Sequence, residues 1–331
     1  MFQLALNPGR YHGRNKKPPF FEGWYYRIID KHKQESMVII PGIFLHPDSS
    51  KSTSFIQVID GKTLGSHFLE FPVDLFLSSN KKFEIAVSGN TFLTDQIILD
   101  IHREKLTIHG DLRFQFLNPW PVSLSSPGIM GWYAWIPFME CFHGVLSMDH
   151  SIEGIIHING REIDFSGGKG YIEKDWGQAF PEAWIWKQSN HFGEDGISLT
   201  ASIAIIPWIR KAFPGFIIGF LWDNQLYRFA TYTGAKTILL EVNDHAVHWI
   251  VEDKKHVLEM FSEVGPTTYL HAPTPNGMDR RIRESVDSMI QVRLSRKIKT
   301  GKTVIFQGNG LHAGFEMEGN IARLLQMVRK D

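Results

Sequence analysis

The feature that most constrains the fold of this chain is a period of two in its apolar side chains. Short β-branched and aromatic segments such as FEGWYYRIID, SFIQVIDG and KTILLEVND recur along the sequence, separated by turn pairs such as DG, SN and HGD. Successive side chains of a strand point to opposite faces, so the pattern predicts many short antiparallel strands. Only the last dozen residues, NIARLLQMVRKD, have helical spacing. We therefore expect an all-β protein built as barrels or sandwiches.

A faint internal repeat predicts where the chain divides. WYYR at residues 24–27 is followed by a strand ending in IIP at 39–41, and WIWK at 184–187 is followed by a strand ending in IIP at 205–207. Each half would then open with an aromatic strand that ends in a cation. A boundary near Pro181 gives halves of ordinary domain size. The two predicted domains are residues 1–180 and 181–331.

Charge and composition exclude several classes of protein. Lys plus Arg and Asp plus Glu number 35 each, so no long-range field recruits nucleic acid or an anionic bilayer. The single Cys141 excludes a disulfide framework and a multi-thiolate metal site. No run of 18 apolar residues occurs, and the short apolar start precedes basic residues, the reverse of a signal peptide. We expect a soluble, cytoplasmic protein with an aromatic-lined cavity, since it contains 24 Phe and 10 Trp.

Four longer stretches carry a family resemblance. They are PFFEGWYYR, GWYAWIPFMECFHGVLSMDHSIEG, GKGYIEKDWGQAFPEAWIWKQSNHF and LHAPTPNGMDRRIRES. In order and spacing they resemble the tocopherol cyclase family over nearly the whole chain. The resemblance implies two lipocalin-like (calycin-type) antiparallel β-barrels that act on a prenylated aromatic alcohol. In plant and cyanobacterial members the reaction closes a chroman ring, so the resemblance implies an isomerase. It indicates the class of chemistry more specifically than it indicates the substrate.

Chroman closure on a prenyl hydroquinone sets chemical requirements for the site. An acid must protonate a trisubstituted alkene to a tertiary carbocation, which the neighbouring phenol oxygen then captures. An alkene is a very weak base, so the acid is expected to be a carboxyl group that apolar surroundings keep protonated. Aromatic faces stabilise the cation and exclude water. The reaction needs neither a metal nor another cofactor, and we expect none.

Carboxylates inside aromatic segments are the candidate acids. In GYIEKDWG, alternation puts Tyr171, Glu173 and Asp175 on one face of a strand and Lys174 on the other. Asp175 or Glu173 is therefore the preferred proton donor, although Asp175 is alternatively a turn residue that caps backbone amides. Two further candidate acids are Glu140 and Glu182.

A third catalytic candidate lies in FEGWYYR. Alternation places Glu22 on the same strand face as Trp24 and Tyr26, an acid beside two rings. A second interpretation stays open, because lipocalin-like barrels close one end with a glycine-tryptophan element whose indole stacks under a basic side chain. Gly23 and Trp24 would then form this plug, and Glu22 would pair with the cation.

The predicted substrate-binding residues comprise an aromatic wall and a polar set. The wall consists of Trp24, Tyr26, Tyr171, Trp176, Trp184 and Trp186. The polar set consists of Lys187, Gln188, Asn190 and His143. Lys187, Gln188 and Asn190 could hold a quinol oxygen or simply form an exposed strand end. His143, His150 and His157 recur every seven residues, which is not a metal signature, so His143 or His150 is expected to bond the phenol.

The segment from Ser262 to Ser285 is the longest interval without a strand pattern. We expect an ordered loop that covers a barrel mouth. Its cations, Arg280, Arg281 and Arg283, would face solvent or make a peripheral contact with a membrane. Two alternatives to the isomerase remain: a lipocalin-like carrier of an apolar prenyl lipid, and a hydratase that admits water to the same cation. The oligomeric state is not predicted.

Overall fold

The computed structural model describes residues 2–330, and the chain divides into two compact units. Unit 1 comprises Met1–Phe180 and Thr268–Ile282. Unit 2 comprises Pro181–Thr267 and Arg283–Asp331. The chain first passes from unit 1 to unit 2 between Phe180 and Pro181. The assignment of residues 268–282 to unit 1 differs from the predicted domain of residues 181–331.

Unit 1 contains one sheet of antiparallel strands, most of which are joined by short turns, and a longer segment joins β9 to β10. The helix α1 spans Phe2–Ala5, and the strands are β1 Phe20–Ile29, β2 Ser36–Leu45, β3 Thr53–Asp60, β4 Gly65–Pro72, β5 Phe76–Ser78, β6 Glu84–Val87, β7 Asn90–Leu93, β8 Gln96–Arg103, β9 Leu106–Gln115, β10 Cys141–Ile158, β11 Arg161–Asp164 and β12 Lys169–Gly177. Their order in the sheet is β4-β3-β2-β1-β12-β10-β9-β8-β7-β6-β5, and β11 pairs with β10. The strands β1, β12 and β10 therefore lie side by side at its centre.

The second sheet is built in the same way. Its strands are β13 Ala183–Ser189, β14 Ser198–Trp208, β15 Lys211–Trp222, β16 Gln225–Ala230, β17 Lys236–Val242, β18 Ala246–Glu252, β19 His256–Glu263, β20 Thr267–Thr274, β21 Gly277–Ile298 and β22 Gly301–Gly319. Their order is β16-β15-β14-β13-β22-β21-β19-β18-β17, and β20 pairs with β21. The predicted C-terminal helix is confirmed as α2, Ile321–Val328, which begins where the Asn320 side chain accepts the Arg323 N–H at 3.1 Å.

The all-β prediction is confirmed, and both sheets are barrel-like. One face of each sheet carries a large buried apolar cluster, centred on residues such as Trp24 and Phe92 in unit 1 and on Trp249 and Phe216 in unit 2. Within residues 2–330 the end strands of neither sheet pair with each other, so the barrels are not closed by hydrogen bonds. No helix in this part of the chain is long and apolar enough to cross a membrane.

The prediction of a strandless loop at residues 262–285 is wrong. β20 and β21 form a hairpin there, although three prolines in the segment obscure the alternation. The hairpin belongs to unit 1 because the Gln57 side chain exchanges two hydrogen bonds with the His271 backbone, at 2.8 and 2.9 Å. The His271 ring also stacks on Phe68, with 4.3 Å between centroids. Backbone bonding and ring packing thus outweigh the low strand propensity of proline.

Candidate functional site

The pairing of β1 with β12 decides which predicted side chains meet. Trp24 lies opposite Lys174, and Tyr25 lies opposite Glu173. Directly opposed residues point to the same face of a sheet. The even-numbered side chains of both strands therefore face the buried cluster, and the odd-numbered ones face away from it. As a result, Asp175 and Glu173 share their face with Tyr171 but not with Trp24, Tyr26 or Trp176.

Glu22 forms a fully buried ion pair with Lys174 in unit 1. Its carboxylate is fully buried, and Lys174 Nζ lies 2.5 Å from Oε1. The backbone N–H groups of His12 and Gly13 donate to the same carboxylate at 2.9 to 3.0 Å. Lys174 Nζ also lies 4.9 Å from the centroid of the Trp24 ring. These contacts match the plug that the second interpretation of Glu22 and Trp24 predicts.

The charge state of Glu22 follows from these contacts. Burial raises the pKa of the Glu22 carboxyl, but the Lys174 charge and the hydrogen bond with His12 outweigh it and lower the pKa overall. Burial lowers the pKa of Lys174 to about 8, with partial compensation by Glu22, so the ammonium stays charged at neutral pH. An ionised carboxylate has no proton to donate, so this geometry favours the plug over a catalytic Glu22.

A second group of polar side chains lies on the opposite face. His143 on β10 stands opposite Asp175 on β12, with Nδ1 2.8 Å from Oδ1. The His143 Nε2 atom lies 3.6 Å from Glu173 Oε2. The Tyr171 hydroxyl donates to that same Glu173 oxygen at 2.5 Å. We call these four residues the His143 cluster, which contains both preferred acids and one residue each of the predicted wall and polar set.

The cluster holds a proton on its imidazole. Burial lowers the pKa of His143, but the charges of Asp175 and Glu173 and the hydrogen bond to Asp175 more than offset it and raise the pKa to about 9. The exposed fraction of the side chain is 13% for His143, 5% for Glu173 and 27% for Asp175. The available proton therefore lies on His143, whereas the sequence predicted an isolated protonated carboxyl.

His143, Glu173 and Asp175 are also a set of metal-ligand types. One ligand atom from each lies within 4.8 Å of the other two. A histidine must be neutral to bind a metal, and the proton on His143 competes with any ion. The direct bond of 2.8 Å between His143 and Asp175 is the geometry of a hydrogen-bonded ion pair. The expectation that no metal is required stays a prediction.

His150 has a different environment from His143. Its Nδ1 lies 3.0 Å from Ser147 Oγ, and its ring packs 4.5 Å from Phe114. A Cβ placed on Gly170 would lie 2.2 Å from Nε2, so the ring is packed directly on that glycine. Burial lowers the pKa of His150 to about 3, which makes it a neutral core residue.

The two predicted tryptophans of unit 2 lie beside carboxylates that the sequence interpretation missed. Trp184 Nε1 donates to Glu316 Oε2 at 2.6 Å, and Trp186 lies opposite Glu316 in the sheet. Glu284, which is fully buried, lies opposite Glu316 on the other side. The alternation of FEMEG at residues 315–319 would have indicated Glu316 by the same rule that selected Glu173.

Lys187 points to the core face of unit 2 instead of the tryptophan face. Its Nζ donates to Ser262 Oγ at 2.8 Å and lies 5.7 Å from the Trp249 ring centroid. Burial lowers the pKa of Lys187 to about 7. Lys187, Gln188 and Asn190 are all buried, so the exposed strand end that the sequence allowed is wrong. The predicted proton donor Glu182 is exposed and pairs with Arg323.

The fold and the cluster define a lipocalin-like β protein with a proton-holding site on one sheet face. A sequence profile described as Tocopherol cyclase-like matches residues 100–319, and the chain belongs to this family. It is 32% identical over 167 residues to the probable chloroplastic tocopherol cyclase of Oryza sativa subsp. japonica, covering 46% of this chain and 33% of the relative. It is 29% identical over 153 residues to the chloroplastic tocopherol cyclase of Zea mays, covering 44% and 31%. The matches span about a third of each relative's length.

Solved structures with low sequence identity share the fold. The crystal structure of CghA with Sch210972 has a TM-score of 0.54 at 11% identity, covering 91% of this chain and 89% of CghA. A Nitrosomonas europaea protein assigned as an AttH has a TM-score of 0.50 at 13% identity, covering 93% and 98%. At such identities the likeness concerns the fold alone.

Proposed function

We propose that this protein is an enzyme of the tocopherol cyclase type that protonates a carbon–carbon double bond of an apolar prenylated aromatic alcohol. The observation that carries the proposal is the His143 cluster, in which an imidazole holds a proton at neutral pH within hydrogen-bond distance of Asp175. Membership of the Tocopherol cyclase-like family supports the same chemistry.

The cluster supports a balanced proton transfer. On a prenyl hydroquinone, Asp175 receives the proton of His143 and delivers it to the less substituted alkene carbon. The phenol oxygen then forms a C–O bond with the tertiary cation, and the phenol proton returns to the cluster. One double bond becomes a single bond, one ring closes and no atom is gained or lost, so the reaction is an isomerisation.

The two acidic residues have different roles in this proposal. Asp175 has the more exposed side chain and bonds His143 directly, so it is the group that reaches a substrate. Glu173 is buried and accepts the Tyr171 hydroxyl, so it positions His143 and raises its pKa. In this proposal Glu22 stabilises the fold through its ion pair with Lys174 and does not contact the substrate.

A hydratase is the second candidate function, and the partial exposure of Asp175 favours it. Water that reaches Asp175 can capture the cation and give a tertiary alcohol. A simple carrier is less well supported, because binding alone requires no proton-holding cluster.

Turnover of a prenyl hydroquinone in deuterated water tests these roles. A cyclase gives a chroman with one carbon-bound deuterium, and a hydratase gives a deuterated tertiary alcohol. We expect Asp175→Asn and His143→Gln to lower kcat by about 10² to 10⁴. Asp100→Asn, at an exposed aspartate of the same unit, should leave kcat unchanged.

Three outcomes would change the assignment. Full activity in Asp175→Asn with loss in Glu173→Gln would move the proton donor to Glu173. Tight binding of the quinol without deuterium incorporation would mean that the protein is a carrier and not an enzyme. Because His143 loses its proton as pH rises through about 9, kcat should fall above that pH. An unchanged rate there would exclude His143 as the proton source.

A further inference from the structure

A long uncharged segment joins β9 to β10 in unit 1. Residues 116–139 contain no Asp, Glu, Lys, Arg or His, and six of these 24 residues are aromatic. We call this segment the apolar loop. Several of its large apolar side chains face solvent: Phe116 (86% exposed), Leu124 (67%), Phe138 (53%), Trp132 (43%) and Val122 (40%). The loop therefore presents apolar side-chain surface to solvent.

The apolar loop has a fixed conformation. Trp120 and Ile129 are buried and fasten it to unit 1. A short helical turn spans Gly131–Trp135. The indole Nε1 of Trp135 donates to the Leu124 carbonyl at 3.0 Å and so connects this turn to the earlier part of the loop. The exposed side chains are thus carried by an ordered backbone. Because the backbone is already ordered, binding to a partner costs little backbone conformational entropy.

Part of the backbone of the apolar loop is hydrogen-bonded within the loop itself. Hydrocarbon tolerates backbone N–H groups only when they are bonded within the protein. Four positions are prolines, which have no N–H, and internal carbonyls at 3.0 to 3.2 Å satisfy the N–H groups of Ser123, Ser126, Gly131, Tyr133 and Ile136. The loop carries no charged side chain, so charge contributes nothing to a contact made by its own residues. Tryptophan, tyrosine and phenylalanine are the residues that favour the membrane interface.

We propose that the apolar loop docks this protein on the surface of a lipid bilayer, with Leu124 and Trp132 inserted at the boundary between headgroups and acyl chains. The location differs from the membrane contact that the sequence predicts at Arg280, Arg281 and Arg283. The inference extends the proposed function, since a prenylated substrate dissolves in the bilayer. It is tested without substrate, so it can fail while turnover in detergent persists.

Co-sedimentation with phosphatidylcholine vesicles measures the contact. The wild type should bind uncharged vesicles, and binding should not weaken with salt because no charge contributes. Leu124→Glu and Trp132→Glu should each lower the affinity by about tenfold or more. Ile209→Glu is the matched control, because Ile209 is 81% exposed on a hairpin of unit 2 and should bind like the wild type. Brominated acyl chains should quench tryptophan emission in the wild type and not in Leu124→Glu.

Each other outcome overturns the proposal. Binding that requires anionic lipid and disappears with salt would assign the contact to the arginines. Equal losses in Leu124→Glu and Ile209→Glu would mean that any exposed apolar residue contributes. Absence of vesicle binding, together with a dimer that Leu124→Glu dissociates, would make the loop an interface with a second copy of the chain. All three variants alter exposed side chains, so unchanged circular dichroism should confirm their folding.

Discussion

Each unit of this protein buries a lysine completely, and the two lysines have opposite surroundings. Lys174 in unit 1 lies 2.5 Å from the Glu22 carboxylate and also donates to the carbonyls of Pro8 and Arg10. Lys187 in unit 2 bonds the Ser262 hydroxyl, and no carboxylate in residues 2–330 pairs with it. Lys174 is therefore a buried cation that stabilises the surrounding structure. Lys187 is a buried cation whose charged form is disfavoured by burial.

The difference shows what a counterion contributes inside a β core. In unit 1 the charged pair fastens the chain segment before β1, because Glu22 and Lys174 together bond the backbone or side chain of residues 8–13. In unit 2 the ammonium gains one neutral hydrogen bond and a distant ring, which do not compensate for lost hydration. The pKa of Lys187 is accordingly the lower of the two, at about 7 against about 8.

The largest effect is expected when the counterion of unit 1 is removed. Glu22→Gln should lower the free energy of unfolding of unit 1 by about 3 to 5 kcal/mol, because Lys174 is left as an unpaired buried charge. Denaturant titration with hydrogen exchange of unit 1 amides measures the change. Glu153→Gln, at an exposed position of β10, should change it by less than about 0.5 kcal/mol. A loss below about 1 kcal/mol for Glu22→Gln would mean that the pair is dispensable.

The opposite sign is expected in unit 2. Lys187→Met should raise the free energy of unfolding at pH 7 by about 2 to 4 kcal/mol, since an apolar chain of similar volume replaces a group that burial penalises. Lys174→Met is the matched comparison and should destabilise unit 1, because Glu22 loses its partner. A lower stability for Lys187→Met would show that the bond to Ser262 outweighs the cost of burial.

The same contrast predicts a pH dependence. The folded-state pKa of Lys187 is lowered from 10.5 to about 7, so between these pH values the unfolded chain holds a proton that the folded chain does not. Stability of unit 2 should therefore rise with pH in this window, by at most about 1.4 kcal/mol per pH unit from this group. Urea titrations from pH 7 to 10 measure the slope. An identical slope in Lys187→Met would assign it to other groups.

The smallest effect concerns the rings beside the lysines. Trp24→Phe should cost about 0.5 to 1 kcal/mol more than Trp249→Phe, because Lys174 lies 4.9 Å from its ring and Lys187 lies 5.7 Å from its own. Both indoles also donate a hydrogen bond, Trp24 to the Gly9 carbonyl at 2.9 Å and Trp249 to Thr237 Oγ1 at 3.2 Å. Each variant loses the same volume and one indole hydrogen bond, so the difference in unfolding free energy reports mainly on the cation–π contacts.

The sequence predicted which side chains share a face of each strand, but it did not predict which strands pair or in what register. Alternation correctly separates Glu173 and Asp175 from Lys174, and it places Glu22 with Trp24. Which face of β1 joins which face of β12 depends on the register, and a shift of one residue exchanges all partners. The register puts Trp24 opposite Lys174, so the preferred acids Asp175 and Glu173 do not share a face with the wall residues of β1.

Long-range partners explain what else could not be predicted. The raised pKa of His143 requires two residues that follow it by about thirty positions, and no local pattern indicates that contact. The hairpin of β20 and β21 is held by Gln57 and Phe68, more than two hundred residues earlier. In contrast, α2 was predictable because its helical period and its cap at Asn320 are local.

The strand β21 has a consequence for how this protein emerges from the ribosome. Its first residues, up to Ile282, belong to unit 1, and the rest belongs to unit 2. About 100 residues are translated between Phe180 and Ile282, which takes roughly 5 to 20 seconds at ordinary synthesis rates. During that interval the nascent unit 1 lacks its last hairpin, and the Gln57 amide lacks the His271 backbone that it bonds in the finished protein. Vectorial synthesis therefore cannot complete the first unit before most of the second has been made.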